Sequence, residues 1–405
     1  MAKKLKRDLT VEEQLARGPV DLPFLMLVLL LTGIGVVMVF SASYASALYD
    51  SKVAGNDPTY YFIRQALFAV AGIAIMYVMS KINYQTLRWL SIFVLAGSIL
   101  LLLMVYVPGI GRTSNGATRW IKLPGIPQFQ PSEVAKLGVI MYFAARLCKR
   151  NTEKPRRISP RSPWSGLHAL LSRIGFLELI PYIVVLVIVC GLVVFEPHMS
   201  GTILILAGAA AVLFAAGIKM YWFIGGGLAA VAGLWFIITN TSYMTSRVEI
   251  WKNPWIDELG LGFQTIQSLY AIGSGGLLGL GLGKSRQKFL YLPEPENDYI
   301  FSIVCEELGL IGACVVLVLF ALLVLRGFWI AIHARDRFGA LLVVGITTLT
   351  AVQVFLNIAV VTNLIPVTGI SLPFFSYGGT ALMIQLVEMG IILSVSRQIP
   401  APKQG

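Results

Sequence analysis

The chain has 405 residues, of which 57% are hydrophobic and 13% are charged, with a mean hydropathy of +0.77. Soluble globular proteins carry about 25% charged residues, so this composition excludes a water-soluble fold and predicts an integral membrane protein. The formal net charge of +12 then indicates Lys and Arg that anchor loops at a membrane surface, rather than a nucleic-acid partner. The four cysteines lie in or beside apolar runs without metal-ligand spacing, which predicts neither a disulfide framework nor a metal site.

Apolar segments follow one another along almost the whole chain. The polar, basic tail 1–21 has no prompt small-residue cleavage site, so the first apolar run is expected to stay as a membrane anchor. Because about 20 apolar residues cross a bilayer, we predict an all-α integral membrane protein with ten transmembrane helices in one membrane domain, residues 22–396, followed by a tail, 397–405. The predicted spans are 22–43, 60–80, 85–107, 132–148, 177–195, 200–217, 219–239, 299–326, 339–360 and 378–396.

The short connections between these spans carry the orientation signal. Clusters of Lys and Arg precede span one and follow spans two, four, eight and ten, and all of these places fall on one side if the ten spans are real. Positive charge is enriched on the cytoplasmic side of membrane proteins. The sequence therefore predicts that both termini are cytoplasmic.

Three segments on the opposite, extracytoplasmic side are unlike passive connectors. These are 109–131, 361–377 and a large loop, 240–298, between spans seven and eight. Connections of this length in a compact domain are usually functional. A site on this side is therefore expected.

Asp298 stands where the large loop meets the apolar run of span eight, in the segment LPEPENDYIFS. Burial there would raise the pKa of its carboxyl group, and a nearby cation would lower it again. Two interpretations remain open: a helix N-cap that accepts backbone N–H groups, or a catalytic carboxylate.

Lys136 lies one turn inside span four, with Glu133 three residues before it on the same helix face. A lysine at this depth either extends back to the headgroups or pairs inside the protein. We expect inward pairing, with Asp298 as a further candidate partner. Such a pair would keep Asp298 ionised, as a general base requires.

Arg119 and Trp120 lie together in GATRWI on the extracytoplasmic side. Interfacial Trp is common in membrane proteins, but an adjacent Arg favours an anion site because its planar fork suits phosphate. Arg247 and Lys288 of the large loop are candidates for the same pyrophosphate clamp, although a solvated loop of mixed charge is the plainer interpretation.

Other polar groups allow both structural and functional interpretations. The glycines of IGSGGLLGLGLGK lack the context of a nucleotide P-loop, so a re-entrant stretch on the bilayer is expected. Ser376 in SYGG suits close helix packing or a substrate contact. Glu196 and His198 are expected to form a capped turn. Of Glu306 and Glu307 in span eight, at least one must face protein or water.

The segments GATRWI, QPSEVAK, EPHMSGT, WKNPWIDELGLGFQTIQSL, YLPEPENDYIFSIVCEELG and LPFFSYGG together strongly resemble the SEDS family (shape, elongation, division and sporulation) of bacterial membrane enzymes. The resemblance covers about residues 22–396, and the sequence looks closer to the division and sporulation branch than to the elongation branch. Many relatives have Asp where this chain has His198, which argues against a general charged role for that corner.

The resemblance implies a peptidoglycan glycosyltransferase that polymerises lipid II, an undecaprenyl-pyrophosphoryl disaccharide-pentapeptide. It implies that Asp298 is the catalytic acid–base residue and that Lys136 and Trp120 line the same cavity. Gln267, in the matching FQTIQSL segment, joins Arg119, Glu133, Arg247, Lys288 and Ser376 as a candidate substrate-binding residue. The implied partners are a class B penicillin-binding protein (a transpeptidase) and other membrane proteins of the division complex, at the septum of the bacterial inner membrane.

No tightly bound cofactor is expected. Arg and Lys, or alternatively a divalent cation (Mg or Mn), would stabilise the leaving pyrophosphate. A lipid II flippase is the main alternative function, because a buried Asp–Lys pair suits a transporter too. A division scaffold is the third, and it predicts that Asp298 is dispensable.

Overall fold

The computed structural model describes residues 18–51, 53–114, 117–122, 127–149, 175–196, 198–240 and 242–399. Most of the predicted tails and of the basic connection between spans four and five lie outside the described residues. The helices are α1 Leu22–Tyr49, α2 Tyr60–Lys81, α3 Tyr84–Met104, α4 Pro131–Leu147, α5 Phe176–Phe195, α6 Met199–Ala215, α7 Met220–Asn240, α8 Ser242–Lys252, α9 Phe263–Ser274, α10 Ile300–Ile332, α11 Arg337–Val361 and α12 Gly379–Ser396.

Every predicted span coincides with a helix. Within the described ranges, seven helices (α1, α2, α3, α5, α10, α11 and α12) are long and apolar enough to cross a membrane, and α6 and residues 220–233 of α7 are shorter apolar helices. The 17-residue α4 carries three charged residues, which lowers its apolarity. The prediction of a mostly helical, multi-pass membrane protein is confirmed, whereas the number of crossings and their orientation stay predictions.

The segments predicted to be extracytoplasmic are more structured than expected. Strands β1 Gly111–Ser114 and β2 Ala117–Ile121 form an antiparallel hairpin, so the fold is not strictly all-α. The large loop contains α8, a short 3-10 helix, Pro254–Asp257, and α9. A search for long apolar runs does not detect such short, mixed-polarity elements.

The glycine-rich stretch after α9, in IGSGGLLGLGLGK, forms backbone hydrogen bonds with α10 at the point where that helix is broken. At Gly309 the backbone has φ 68° and ψ −172°, a conformation essentially restricted to glycine. The N–H groups of Leu280 and Gly281 donate to the carbonyls of Glu306 and Glu307, at 3.0 Å each. This pairing satisfies backbone groups that the break would leave exposed. The stretch therefore packs on α10, whereas its place relative to the bilayer stays a prediction.

Contacts between distant parts of the chain define the two ends of the bundle. At one end Arg326 of α10 binds Asp21 with an Nη2–Oδ2 distance of 2.8 Å, and Tyr84 donates to Asp336 at 2.6 Å. At the other end Ser46 of α1 donates to Glu296, just before α10. Because α1 and α10 each run from one end to the other, the segment around Asp298 lies opposite the Asp21–Arg326 pair.

Candidate active site

A cavity of about 500 Å³ lies at the end of the bundle that holds Asp298. Its walls come from α2, β2, the segment before α4, the start of α6, the segment before α10, α11 and residues 369–385. Five predicted site residues line it: Asp298, Arg119, Trp120, Glu133 and Ser376. The structure therefore brings together side chains that are more than 250 positions apart in the sequence.

The carboxylate of Asp298 is partly exposed to this cavity. In the described part of the chain it forms no hydrogen bond or ion pair, and the N-cap of α10 is Tyr299, which has no side-chain cap bond. The helix-cap interpretation of Asp298 is therefore wrong. Burial raises the pKa of Asp298 to about 6, and Glu294 adds to this rise while Arg119 opposes it. The carboxylate is roughly nine-tenths ionised at pH 7, so it can accept a proton.

The backbone around Asp298 is held by two neighbouring segments. The Nδ2 atom of Asn357 in α11 donates to the carbonyl of Asp298 at 2.8 Å and to that of Ile370 at 2.6 Å. Two residues earlier, the Glu296 carbonyl accepts from the Tyr377 N–H at 2.8 Å. These bonds join the segment that carries Asp298 to the segment that forms the opposite cavity wall.

Lys136 and Glu133 form a buried ion pair, with an Nζ–Oε2 distance of 2.7 Å. The Lys136 side chain is 3% exposed, so it points inward, as expected. Among the described side chains, however, Lys136 forms no ion pair with Asp298, and that expected pairing is wrong. The physical reason is local: Glu133 lies one turn away on the same helix, whereas Asp298 is on another segment. Glu133 faces the cavity and Lys136 lies behind it.

Arg119 and Trp120 reach the cavity from the β-hairpin, in which Trp120 pairs with Arg112. The Nε–H of Arg119 donates to the Glu196 carbonyl at 3.2 Å. Since Arg119 also lowers the pKa of Asp298, its charge lies near the carboxylate. A second guanidinium group, that of Arg64, lines the same cavity.

The connection from α5 to α6 forms a polar corner beside Arg119. Burial is the main cause that raises the pKa of Glu196 to about 8 and lowers that of His198 to about 3, so both side chains are mostly uncharged at neutral pH. Nδ1 of His198 lies 3.2 Å from Nε2 of Gln130 and 3.3 Å from Oγ of Ser132. His198 is the N-cap residue of α6 but makes no side-chain capping bond. The expected capped turn is therefore wrong.

Three predicted substrate-binding residues do not line the cavity as the described residues form it. Lys288 is buried, and its Nζ donates to the Gly283 carbonyl at 2.7 Å, to Glu307 at 3.0 Å and to Ser41 at 3.2 Å. Arg247 of α8 donates to the Val367 carbonyl at 2.6 Å, and Gln267 is a half-buried residue of α9. The substrate-binding roles of these three residues stay predictions, and burial and backbone bonds already account for the positions of Lys288 and Arg247.

Arg64, which lines the same cavity, and Asn357, which binds the Asp298 carbonyl, were absent from the sequence-based candidates. Each is a polar residue inside an apolar span, which is the signal that could have identified them. In the described ranges no group of three or more His, Cys, Asp or Glu side chains could hold a metal ion. The possible need for a divalent cation stays a prediction.

Together these features define a multi-pass membrane protein whose helical bundle carries a polar, charged cavity at one end. The family described as cell cycle protein, which covers FtsW, RodA and SpoVE, matches residues 22–400. The chain belongs to this family, and the predicted resemblance is confirmed.

Curated relatives and a solved structure align over nearly the full chain. The chain is 41% identical over 380 residues to a probable peptidoglycan glycosyltransferase FtsW of Geobacter sulfurreducens, covering 94% of this chain and 95% of the relative. It is 41% identical to stage V sporulation protein E of Bacillus subtilis, covering 93% and 97%. A chain from a solved peptidoglycan synthase complex that coordinates polymerization and crosslinking matches with a TM-score of 0.70 at 28% identity, covering 95% and 99%.

Proposed function

We propose that this chain is a peptidoglycan glycosyltransferase that polymerises lipid II into glycan strands. The observation that carries the proposal is Asp298, a carboxylate with a pKa raised to about 6 that faces a cavity beside Arg119. A base whose pKa lies just below the working pH combines ionisation with the strength needed to remove a proton. The relatives named as glycosyltransferases support the reaction class.

In the proposed step, Asp298 takes the proton from the 4-hydroxyl of an acceptor sugar. The hydroxyl oxygen attacks the anomeric carbon of the donor, and the new C–O bond forms as the bond to the lipid diphosphate breaks. The bonding pair leaves with the diphosphate oxygen, and the configuration at the anomeric carbon inverts. Arg119 and Arg64 are the cavity groups that would stabilise the negative charge on the leaving diphosphate.

The first turn of α6 adds to this anion-binding capacity. Helix N-termini carry unpaired N–H groups and a partial positive charge that suit phosphate. Ser200 of this turn lines the cavity, is 1% exposed, and its hydroxyl has no partner among the described residues. The Glu196 carboxyl, kept mostly neutral by burial, would not repel a diphosphate there.

The finer topology belongs to the same proposal. We place ten spans across the inner membrane, both termini in the cytoplasm and the Asp298 cavity on the extracytoplasmic side. A class B penicillin-binding protein would receive the strands for cross-linking, with other division-complex proteins at the septum. The similarity to a chain of a peptidoglycan synthase complex supports such a partnership.

Polymerisation of purified lipid II, with the class B partner present, tests the function. Asp298→Asn keeps the side-chain volume but removes the base, so we expect a loss of about 100- to 10,000-fold in rate. The matched control is Asp57→Asn, an exposed aspartate of the connection between α1 and α2, which should polymerise at the wild-type rate.

The outcomes separate the candidate functions. Equal polymer from wild type and Asp298→Asn would overturn the role of Asp298 but not the reaction, whereas no polymer and no translocation would favour a scaffold. No polymer from either, with lipid II translocated across vesicles, would replace the proposal by a flippase.

A further inference from the structure

We propose that Asn357 is a positioning residue for Asp298, which holds the catalytic carboxylate at its place in the cavity through the backbone. This inference rests on the proposed function. Asn357 is a buried residue of α11, and its exposed fraction is 0%. A buried amide in an apolar helix is costly unless it is hydrogen-bonded, so its contacts indicate its role.

Both bonds from the Asn357 side chain leave its own helix. The NH₂ group donates to the carbonyls of Asp298 and Ile370. Because both partners are acceptors, only the NH₂ end of the amide can face them. One side chain thus joins the segment that carries the catalytic carboxylate to the segment 369–372 on the facing wall.

The geometry makes this contact specific to Asp298. The side chain of Asp298 forms no bond within the described residues, so its position depends on its backbone. Gly369, next to Ile370, has φ +67°, and a Cβ there would come within 3.3 Å of Oδ2 of Asp298. The two joined segments therefore touch at the carboxylate itself, and loosening Asn357 would move them apart and admit water.

A neighbouring residue offers a matched control. Gln353 lies one turn earlier on α11, is 4% exposed, and its Nε2 donates to the Ser371 carbonyl at 3.0 Å. Like Asn357, Gln353 uses a side-chain amide of α11 to donate to a carbonyl of the segment 369–372. Unlike Asn357, it has no bond to Asp298. Gln353→Leu should therefore disturb the cavity wall but leave the pKa of Asp298 unchanged.

The charged and titratable groups that face Asp298 affect its pKa, together with its burial. Glu294 comes from its own segment, Arg119 from β2, and the Tyr299 phenol interacts with the same carboxylate. None of these changes in an Asn357 variant. A change in the protonation of Asp298 would therefore report a change in its burial, which is the main cause of its raised pKa.

The experiment compares Asn357→Leu and Asn357→Ala, which remove the amide without adding a charge, with Gln353→Leu and wild type. Labelling of Asp298 by a hydrophobic carbodiimide, which reacts with protonated carboxyl groups, is followed against pH by mass spectrometry. We expect a midpoint near pH 6 in wild type and Gln353→Leu, and a midpoint lower by about one unit or more in the Asn357 variants. Asp298→Asn is the unlabelled control. Asn357→Ser, which keeps a hydroxyl donor, replaces Asn357→Leu if that variant does not fold.

Kinetics give the second readout. The Asn357 variants should lose about 100-fold in kcat, as expected for a misplaced catalytic group, with a smaller change in KM. An unchanged labelling midpoint in a folded Asn357 variant would overturn the positioning role. Labelling does not depend on turnover, so a shifted midpoint in an enzyme without polymerase activity would support the positioning role while the proposed function failed.

Discussion

The protonation of Asp298 depends on two charged neighbours of opposite sign. Glu294 raises the pKa of Asp298 and Arg119 lowers it, while burial has the largest effect. The base is active when ionised, so activity should rise with pH through about 6 and level off above it. The structure thus predicts the acid side of the pH–rate profile from the environment of one carboxyl group.

Replacing Glu294 tests this balance. Glu294→Gln removes a negative charge that makes ionisation of Asp298 less favourable, so the acid limb of kcat/KM should move to lower pH. The measurement is the polymerisation rate between pH 4.5 and 8. Glu258→Gln, an exposed carboxylate of the same loop, should leave the limb near pH 6. A limb that moves to higher pH in Glu294→Gln would contradict the assignment of the limb to Asp298.

At the scale of elements, the broken helix α10 and the glycine-rich stretch form one unit. Glu306 accepts from the Arg286 N–H at 2.9 Å, and Glu307 accepts from Ser41 of α1 at 2.7 Å and from Lys288 at 3.0 Å. The two acids predicted to need partners thus bind the stretch that leads towards Asp298. Lys288 therefore has a structural role in the architecture of the loop.

Lys288→Met should destabilise the protein. It leaves Glu307 buried without its cation, which typically costs about 3–5 kcal/mol. The free energy of unfolding is measured by denaturant titration in detergent micelles. Adding Glu307→Gln to the variant should recover part of the loss, because the uncompensated charge is gone. Lys284→Met, at an exposed lysine of the same stretch, is the control, and equal stability of the two single variants would refute the structural role of Lys288.

At the scale of the whole molecule, the two ends of the bundle differ in character. The Asp21–Arg326 pair lies at one end, and a cavity with Arg64, Arg119 and Asp298 lies at the other. In the proposed orientation, these Arg residues would depart from the usual charge bias of an outer surface. The proposed anionic substrate would account for this departure.

Cysteine labelling tests the orientation in a background without the four native cysteines. Ser51 and His333 are exposed in the connections after α1 and α10, at opposite ends of the bundle. In spheroplasts, Ser51→Cys should react with a membrane-impermeant thiol reagent, and His333→Cys should react only after permeabilisation. The reverse pattern would place the cavity in the cytoplasm and remove the proposed orientation.

The sequence by itself determined the long apolar helices and several of the residues that line the cavity. Apolar length and the penalty for exposing backbone to lipid leave little choice of secondary structure, so every predicted span lies on a helix. Asp298, Arg119 and Trp120 could be identified because charge and aromatic residues at the ends of apolar runs stand out, and the family resemblance rests on the motifs that contain them.

Only the tertiary structure decided which polar groups meet. Lys288 joins Glu307 away from the cavity, and Asn357 reaches across to the Asp298 carbonyl. Hydrophobicity fixes each helix locally, but partners across a bundle depend on how the helices pack and rotate against one another, and a single sequence does not encode those contacts in any local pattern.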